Sequence, residues 1–367
     1  MNKYRKSNFE ILRIIAIFMI VSFHCSFHSG FTYEEFSANV FLIKSFYLYG
    51  ELGVNLFFLL TGYFQINRKV KPRKIVILYA ELLFYIIVSI IIKALITNDF
   101  SFNYLKLIKS FFIPEYWFFS AYILIYVFSP FLNILIKNLS KNHVSGFLFV
   151  CYVIFSFLPT VIGLFDGGGT EGYYFFNRFI WGCIIYCTGA FISLYNETTW
   201  NNGKKNIILA VASYLVMLVF IILFGKVRFF STIGLTEPAF FWQTNTIPML
   251  ILSVSVFNLF RLWKMNKTIT IINTIASTTL GIYLLSDGQL RTIIWDYLFN
   301  SKEKFNYSAL FSLIYIAVAS IIIIIFGVII DLFRQTIYKF TIVKWLERID
   351  FSKMKKKVNL LVNRIFN

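Results

Sequence analysis

Residues 9–28 decide the fold, and they read FEILRIIAIFMIVSFHCSFH. A run of roughly 20 mostly apolar residues, at about 1.5 Å of rise per residue, is long enough to cross the hydrocarbon layer of a bilayer as a helix. Basic residues precede the run, and no small-residue cleavage site follows it. We therefore expect a first membrane-spanning helix and not a cleaved signal peptide.

The composition of the whole chain agrees with this first segment. Of 367 residues, 58% are hydrophobic, 20% are aromatic and only 14% are charged, and the mean hydropathy is +0.72. Soluble globular proteins carry about 25% charged residues, so an ordinary cytosolic enzyme and a disordered protein are both excluded. In a membrane protein, the net charge of +18 indicates cytoplasmic loops that face anionic lipid, and it does not call for a nucleic-acid partner.

Further apolar runs predict an all-α, polytopic helix bundle with about ten transmembrane helices. The predicted spans are 9–28, 44–64, 75–96, 117–136, 145–163, 176–195, 206–225, 240–260, 276–297 and 308–331. A short segment, 104–113, is predicted to lie along the membrane surface. A loop of consecutive glycines after Asp166 is expected to be a flexible connection, since it lacks the Gly-Lys-Ser/Thr ending of a phosphate-binding loop.

The distribution of basic residues predicts the orientation. With a cytoplasmic N-terminus, the cytoplasmic segments hold 24 of the 35 Lys and Arg residues and the outer loops hold eight. This bias places both termini in the cytoplasm. We expect one membrane domain over residues 1–333 and a basic, amphipathic cytoplasmic tail over residues 334–367 that contacts membrane lipid.

Ionisable residues inside predicted spans are the first candidates for function, because burying them in lipid is costly. Arg13 and His24 are separated by 11 residues, which returns them to within about 20° of the same helix face and sets them about 16 Å apart along the axis. Arginine grips phosphate or carboxylate, and histidine serves as a base near neutral pH. The alternative for His24 is a structural hydrogen bond at the helix end.

Other ionisable residues allow more than one interpretation. His28 follows His24 by one turn, but no third metal ligand is evident, so we predict a solvated residue and no metal site. Asp287 and Arg291 have the spacing of a helical ion pair, which favours a structural role. For Glu81, the sequence allows either a side chain buried in the bundle or one that reaches the membrane–water interface. A cytoplasmic basic cluster after the second span is either a topology signal or a grip for phosphates; it consists of Arg68, Lys69, Lys71, Arg73 and Lys74.

Several of these segments resemble the acyltransferase-3 family of integral-membrane acyltransferases. Arg13, ten residues and His24 resemble its first-span signature, and residues 53–64 resemble its Gly-Val-Asp-Leu-Phe-Phe…Ser-Gly motif, with Asn55 in place of Asp. Within residues 53–64, Thr61 and Gly62 are also expected to allow close helix approach in lipid. The basic cluster resembles the family's arginine-rich cytoplasmic motif. The fourth-span pattern around Trp117 and the late motif at 280–285 are also similar, although Ser286 stands where a histidine often follows.

The resemblance implies an O-acyltransferase that transfers acetyl from cytoplasmic acetyl-CoA to a hydroxyl of a cell-surface or lipid-linked carbohydrate. Arg13 and the basic cluster would hold the phosphates of the donor, and His24 would act as general base or carry the acyl group. Trp117, Asp287 and Arg291 are further candidates for the site. No permanently bound cofactor is expected, and the location is the plasma membrane of a bacterium.

Two other classes of membrane protein also need buried charges. A transporter or flippase for lipid-linked sugars predicts internal repeats and broken helices at matching positions of two halves, and the sequence shows no such symmetry. A polysaccharide polymerase would carry longer, arginine-rich outer loops. Both alternatives stay open at this point.

Overall fold

A computed structural model describes residues 7–33, 35–98, 116–166, 177–195, 201–226, 243–265 and 268–349. Over these residues the chain is helical and contains no strand, so the all-α prediction is confirmed for them. The α-helices are α1 (Ser7–Phe27), α2 (Ala38–Ser45), α3 (Tyr47–Gln65), α4 (Pro72–Thr97), α5 (Trp117–Asn138), α6 (Lys141–Tyr152), α7 (Leu158–Asp166), α8 (Arg178–Leu194), α9 (Gly203–Lys226), α10 (Ile247–Leu262), α11 (Thr270–Ala276), α12 (Thr279–Ser286), α13 (Ser301–Lys304), α14 (Ala309–Phe340) and α15 (Ile342–Glu347).

Six helical segments of the described residues are long and apolar enough to cross a membrane. They are α1, α4, α5, the segment Lys141–Ile162, α9 and the segment Ala309–Glu347. Three shorter apolar helical segments, Arg178–Leu194, Ile247–Leu262 and Thr270–Ser286, lie among them. The count of ten spans and the cytoplasmic termini stay predictions.

The outer surface of the bundle is apolar, which is what a lipid environment requires. On α9, for example, Ile207, Ile208, Val211 and Leu215 each expose more than half of their surface. The exposed face of α14 is likewise built of isoleucine, leucine and phenylalanine. A continuous apolar surface of this size suits the hydrocarbon layer and is incompatible with a water-soluble monomer.

The predicted span 276–297 is not one continuous helix, and this prediction was wrong. α11 and α12 are separated by a short turn, and α12 ends at Ser286 because Asp287 has an extended backbone (φ −126°, ψ −167°). Gly288 follows with a positive φ of 62°, a conformation that glycine adopts without strain. A 3₁₀ turn (Gly288–Leu290) and a π-helix (Ile293–Leu298) complete the segment. The break leaves the Asp287 side chain inside the bundle.

α3 lies at the centre of the bundle and packs against α1 and α8. The contact with α8 depends on Gly62, because a Cβ there would lie 1.9 Å from the Tyr186 carbonyl oxygen. The prediction that Gly62 permits close helix approach is therefore confirmed. Its neighbour Thr61 donates a hydrogen bond to the Phe57 carbonyl within the same helix.

Asn55 connects α3 to two other parts of the bundle. Its amide nitrogen donates to the Thr244 carbonyl at 2.8 Å and to Ser253 Oγ at 3.1 Å, and its amide oxygen accepts from Trp181 Nε1 at 3.1 Å. The side chain is fully buried. An aspartate could accept but not donate at this position, so the network explains why asparagine stands where the family motif has Asp.

The last part of the chain continues the bundle beyond the predicted domain boundary at residue 333. α14 runs through that position to Phe340 and is followed by α15. Residues 350–367, which include most of the predicted tail, lie outside the described residues. The predicted surface segment 104–113 and the glycine loop at 167–170 lie outside them as well.

Candidate active site

His24 lies in the last turn of α1, buried against the broken segment that follows α12. Its Nδ1 is 3.1 Å from Ser286 Oγ, and its Nε2 is 3.9 Å from Asp287 Oδ2. The imidazole is only 4% exposed. The end of α12 therefore places a hydroxyl on one ring nitrogen and a carboxylate near the other.

The hydrogen bonds of Ser286 indicate which ring nitrogen carries the proton. The Ser286 hydroxyl donates to the Tyr283 carbonyl at 3.2 Å, so its oxygen is left to accept from Nδ1–H of His24. Nε2 then has the lone pair and faces Asp287. When Nε2 takes up a proton, the neighbouring carboxylate stabilises the imidazolium. An imidazole with its lone pair on Nε2 can take up a proton from a group bound beside it.

Asp287 and Arg291 form the ion pair that their spacing predicts. Arg291 Nε and Nη2 donate to Asp287 Oδ1 at 2.8 and 2.6 Å. The pairing is confirmed, but the pair spans a turn and not a regular helix, since Asp287 itself is extended. Because the same carboxylate lies near His24, the pair also belongs to the histidine site.

His28 is not solvated, and that prediction was wrong. Its side chain is 14% exposed, and its Nε2 lies 3.9 Å from Asp287 Oδ1. The peptide N–H of His28 donates to the His24 carbonyl, so the helical turn is continued and both imidazoles face the same side of α1. The four-residue spacing of His24 and His28 was the feature of the sequence that could have placed His28 beside His24.

His24, His28 and Asp287 offer nitrogen and oxygen atoms that all lie within 4.8 Å of one another, a donor set that a metal ion can use. Two features of the site disfavour a cation. Arg291 already donates twice to Asp287 Oδ1, and Arg178 lines the same cavity. The Arg291 guanidinium in contact with Asp287, and a second guanidinium in the same cavity, repel a further positive charge.

An outer cavity of about 210 Å³ opens in front of His24. We call it outer in accordance with the predicted orientation. Its lining combines imidazole, carboxylate, guanidinium and aromatic groups: Ile20, Phe23, His24, Phe27, His28, Gly50, Glu51, Val54, Trp117, Phe118, Arg178, Tyr283, Asp287 and Arg291. Trp117, a sequence candidate, is covered by the Arg178 guanidinium at 4.1 Å from its ring.

An inner cavity of about 350 Å³ lies on the side of Arg13 and is lined by three cationic side chains, Arg13, Arg68 and Lys74, and by one acidic side chain, Glu81. The guanidinium carbons of Arg13 and Arg68 lie 5.6 and 5.9 Å from the centre of the same ring, Phe64. Lys74 Nζ donates to Tyr122 OH at 2.9 Å. Arg13 also forms an ion pair with Glu10. The three cations form a basic wall suited to an anion.

The rest of the predicted basic cluster does not line this cavity. Lys69 and Lys71 are exposed. Arg73 donates to the Val343 carbonyl at 3.3 Å and lies 3.5 Å from Glu347, so it contacts the α15 segment. Of the five basic residues, the structure brings only Arg68 and Lys74 together with Arg13.

The two cavities share three lining side chains, Ile20, Phe118 and Tyr283. We call these three residues the septum. Ile20 lies one turn before His24 on α1, and seven residues after Arg13. The face of α1 that carries Arg13, Ile20 and His24 therefore borders both cavities, as the spacing of Arg13 and His24 predicts.

Sequence reasoning assigned no role to several residues of these cavities. Glu51 lies within the predicted span 44–64, and it lines the outer cavity. Phe118 and Tyr283 lie inside the quoted motifs, but their aromatic character alone did not separate them from core residues. Arg178, at the first position of α8, carried no signal because it stood outside every motif.

The comparison with family models was made on the whole sequence. Residues 6–332 match the Acyl_transf_3 model, which is described as an acyltransferase domain. Neither the curated proteins nor the solved structures that were compared with the chain include a significant match. The matched range covers nearly the whole chain and contains both cavities and the septum. The chain therefore belongs to the acyltransferase-3 family and is a multi-pass membrane acyltransferase.

Proposed function

We propose that the chain transfers an acetyl group from cytoplasmic acetyl-CoA to a hydroxyl of a cell-surface or lipid-linked carbohydrate, in the plasma membrane of a bacterium. The observation that carries this proposal is the arrangement of two cavities along α1. A basic inner cavity and a histidine-containing outer cavity meet at a common septum. A donor with phosphates at one end and a thioester at the other matches this polarity.

The inner cavity supplies the contacts that a nucleotide-bearing donor needs. Arg13 and Arg68, held over the same phenylalanine ring, present two guanidinium groups to phosphate oxygens, and Lys74 adds a third positive charge. With the phosphates at this level, the extended pantetheine arm covers the roughly 16 Å along α1 that separates Arg13 from His24.

In the outer cavity, His24 acts as the general base. Its Nε2 removes the proton from the sugar hydroxyl while the hydroxyl oxygen attacks the carbonyl carbon of the thioester. The carbon–sulfur bond breaks, the ester forms, and the proton passes from the imidazolium to the leaving thiolate. Asp287 stabilises the imidazolium during this step, since its Oδ2 lies 3.9 Å from Nε2. In the variant mechanism, His24 itself carries the acetyl group between donor and acceptor.

The decisive experiment supplies labelled acetyl-CoA to membranes that contain the wild type, His24→Ala or His143→Ala. His143 is exposed in the first turn of α6 and provides the matched histidine control. We expect label in glycan with the wild type and His143→Ala, and a loss of about 100-fold or more with His24→Ala. Equal labelling in all three samples would refute the catalytic role of His24.

The transporter and flippase alternative gains no support from the family match, which describes an acyltransferase domain. The same experiment separates the two classes. A transporter would move a carbohydrate without attaching acetyl to it, so a glycan that changes sides unlabelled would favour transport.

A further inference from the structure

The septum separates the two cavities with side chains from three different helices. Ile20 comes from α1, Phe118 from α5 and Tyr283 from α12, and all three are at least nine-tenths buried. The rings of Phe118 and Tyr283 meet edge to face, with centroids 5.4 Å apart and an interplanar angle of 77°. No other side chain lines both cavities in the part of the chain that the structure describes.

Phe118 and Ile20 are held in place by the side chains and backbone around them. Phe118 also packs against Phe57 and Phe58, with ring centroids 5.8 and 5.4 Å away. Ile20 lies against α3 at Gly53, where a Cβ would be only 2.8 Å from Ile20 Cγ1. Widening the septum therefore requires the displacement of packed side chains, which is costly in a close-packed interior.

The septum also lies where the reactive end of the donor has to be. If the phosphates bind at Arg13, Arg68 and Lys74, the thioester reaches His24 only between Ile20, Phe118 and Tyr283. Ile20 is one turn from His24, and the Tyr283 and His24 ring centroids are 6.0 Å apart. The acyl chain therefore meets the septum at the step in which it is transferred.

We propose that the septum of Ile20, Phe118 and Tyr283 sets the length of the acyl group that the enzyme accepts, and that Phe118 is its main determinant. This inference rests on the proposed function, because it assumes an acyl-CoA donor in the inner cavity. With the thioester carbonyl at His24, a two-carbon acyl group ends beside the Phe118 ring, whereas a four-carbon chain runs into that ring, which Phe57 and Phe58 keep from moving aside.

The test measures binding of two stable donor analogues to the full-length protein in detergent by titration calorimetry. S-ethyl-CoA has the length of an acetyl donor, and S-butyl-CoA has the length of a butyryl donor. We expect the wild type to bind S-butyl-CoA no more tightly than S-ethyl-CoA. In Phe118→Ala, each additional methylene becomes buried and adds about fourfold in affinity, so the preference moves about 15-fold towards S-butyl-CoA.

Leu78→Ala is the matched control, because Leu78 lines the inner cavity but is not part of the septum. We expect this variant to leave the ratio of the two affinities unchanged, even if both affinities change together. Phe118→Leu removes less volume and gives an intermediate shift, which tests the inference if Phe118→Ala proves too unstable to purify.

The failures of the two proposals can be told apart. If both analogues bind the wild type and the ratio of their affinities is the same in Phe118→Ala, the septum does not select acyl length and this inference is refuted alone. An equal shift in Leu78→Ala also refutes it, because the inner cavity would then determine the length. If neither analogue binds the wild type, the acyl-CoA donor is refuted and the inference falls with it.

Discussion

Two groups of charged side chains surround buried carboxylates in this bundle, and they differ in how tightly their charges are paired. In the first, Arg334 Nε lies 2.7 Å from Asp331 Oδ1, and Arg334 Nη2 lies 3.3 Å from Glu81 Oε1. Tyr85 and Gln335 donate further hydrogen bonds to Asp331, at 3.0 and 2.7 Å. We call Glu81, Asp331 and Arg334 the closed cluster.

The second group, which we call the open cluster, consists of His24, His28, Asp287 and Arg291. Only the Asp287–Arg291 contact is short, at 2.6 Å, and both imidazoles stay 3.9 Å from the carboxylate. A cavity of about 210 Å³ adjoins all four side chains. The carboxylates of both groups are buried, but the Arg291 side chain is 38% exposed, whereas that of Arg334 is 5% exposed.

The difference shows what to look for when buried charge is used to locate a site in a membrane protein. When buried charged groups are paired with one another at short distances, they hold helices together, as the closed cluster does for α4 and α14. Contacts longer than a hydrogen bond leave room between the charged side chains for a reacting group to enter. We infer structure from the first pattern and chemistry from the second.

Breaking the closed cluster has the largest expected effect, and it acts on stability. Arg334→Met leaves two carboxylates buried together without a counter-charge, so we expect the free energy of unfolding to fall by about 3–5 kcal/mol. The midpoint of SDS-induced unfolding of the purified protein measures this loss. Lys339→Met, an exposed basic residue of the same helix, is the control.

A second variant sharpens this test. Adding Glu81→Gln and Asp331→Asn to Arg334→Met removes all the buried charge of the cluster, so most of the lost stability is expected to return. If Arg334→Met unfolds at the same SDS fraction as Lys339→Met, the closed cluster is not a structural element.

Breaking the open cluster at Asp287 is expected to act on the reaction and not on the fold. Asp287→Asn keeps the shape of the side chain and an oxygen for Arg291, but it removes the charge that stabilises the His24 imidazolium. The rate of acetyl transfer at saturating donor should fall about 100-fold, whereas the SDS midpoint stays close to that of the wild type. Asp296 is an exposed aspartate of the same segment, and Asp296→Asn should change neither the transfer rate nor the SDS midpoint. A loss of stability equal to that of Arg334→Met would place Asp287 with the closed cluster.

The sequence alone identified much of this arrangement, because some of its signals depend only on helical periodicity. Arg13 and His24 are placed on one face by their spacing, and that placement survives in the structure because α1 is a regular helix. Gly62 marks a close helix contact, since only a residue without a Cβ fits against the Tyr186 carbonyl.

Signals that depend on a break in a helix were harder to use. Apolar residues on both sides of Asp287 make the segment look continuous, although Ser286-Asp287-Gly288 carries turn-forming residues. The Asp287–Arg291 ion pair was predicted on the assumption of a continuous helix. The pair forms nevertheless, because a four-residue spacing brings the two side chains together across this turn as well as along a helix.

Charge counting could not separate the members of the basic cluster after the second span. Arg68 and Lys74 reach the inner cavity, whereas Arg73 contacts the α15 segment and Lys71 is exposed. Which side chains face inwards depends on where α3 ends and α4 begins, and on a distant segment near the C-terminus. Neither is encoded in the local pattern of basic residues.

Substituting Ser286 has the smallest expected effect on the transfer rate, but it is the most specific test of the open cluster. Ser286→Ala removes the acceptor of Nδ1–H on His24 and leaves every charge in place. A lost hydrogen bond of about 1 kcal/mol corresponds to a fall in transfer rate of about fivefold. Ser286→Thr keeps the hydroxyl and should restore most of the rate.

Ser286→Ala also changes the protonation of the His24 ring, which NMR can detect and which a loss of packing would not produce. The chain has only three histidines, so ¹⁵N-histidine NMR resolves the protonated nitrogen of each ring. We expect His24 to be protonated at Nδ1 in the wild type and in Ser286→Thr, and to show a mixture of tautomers in Ser286→Ala. If His24 carries its proton on Nε2 in the wild type, that nitrogen has no lone pair for the sugar hydroxyl. The open cluster would then bind substrate without acting as the base. It would differ from the closed cluster only in being accessible to a ligand.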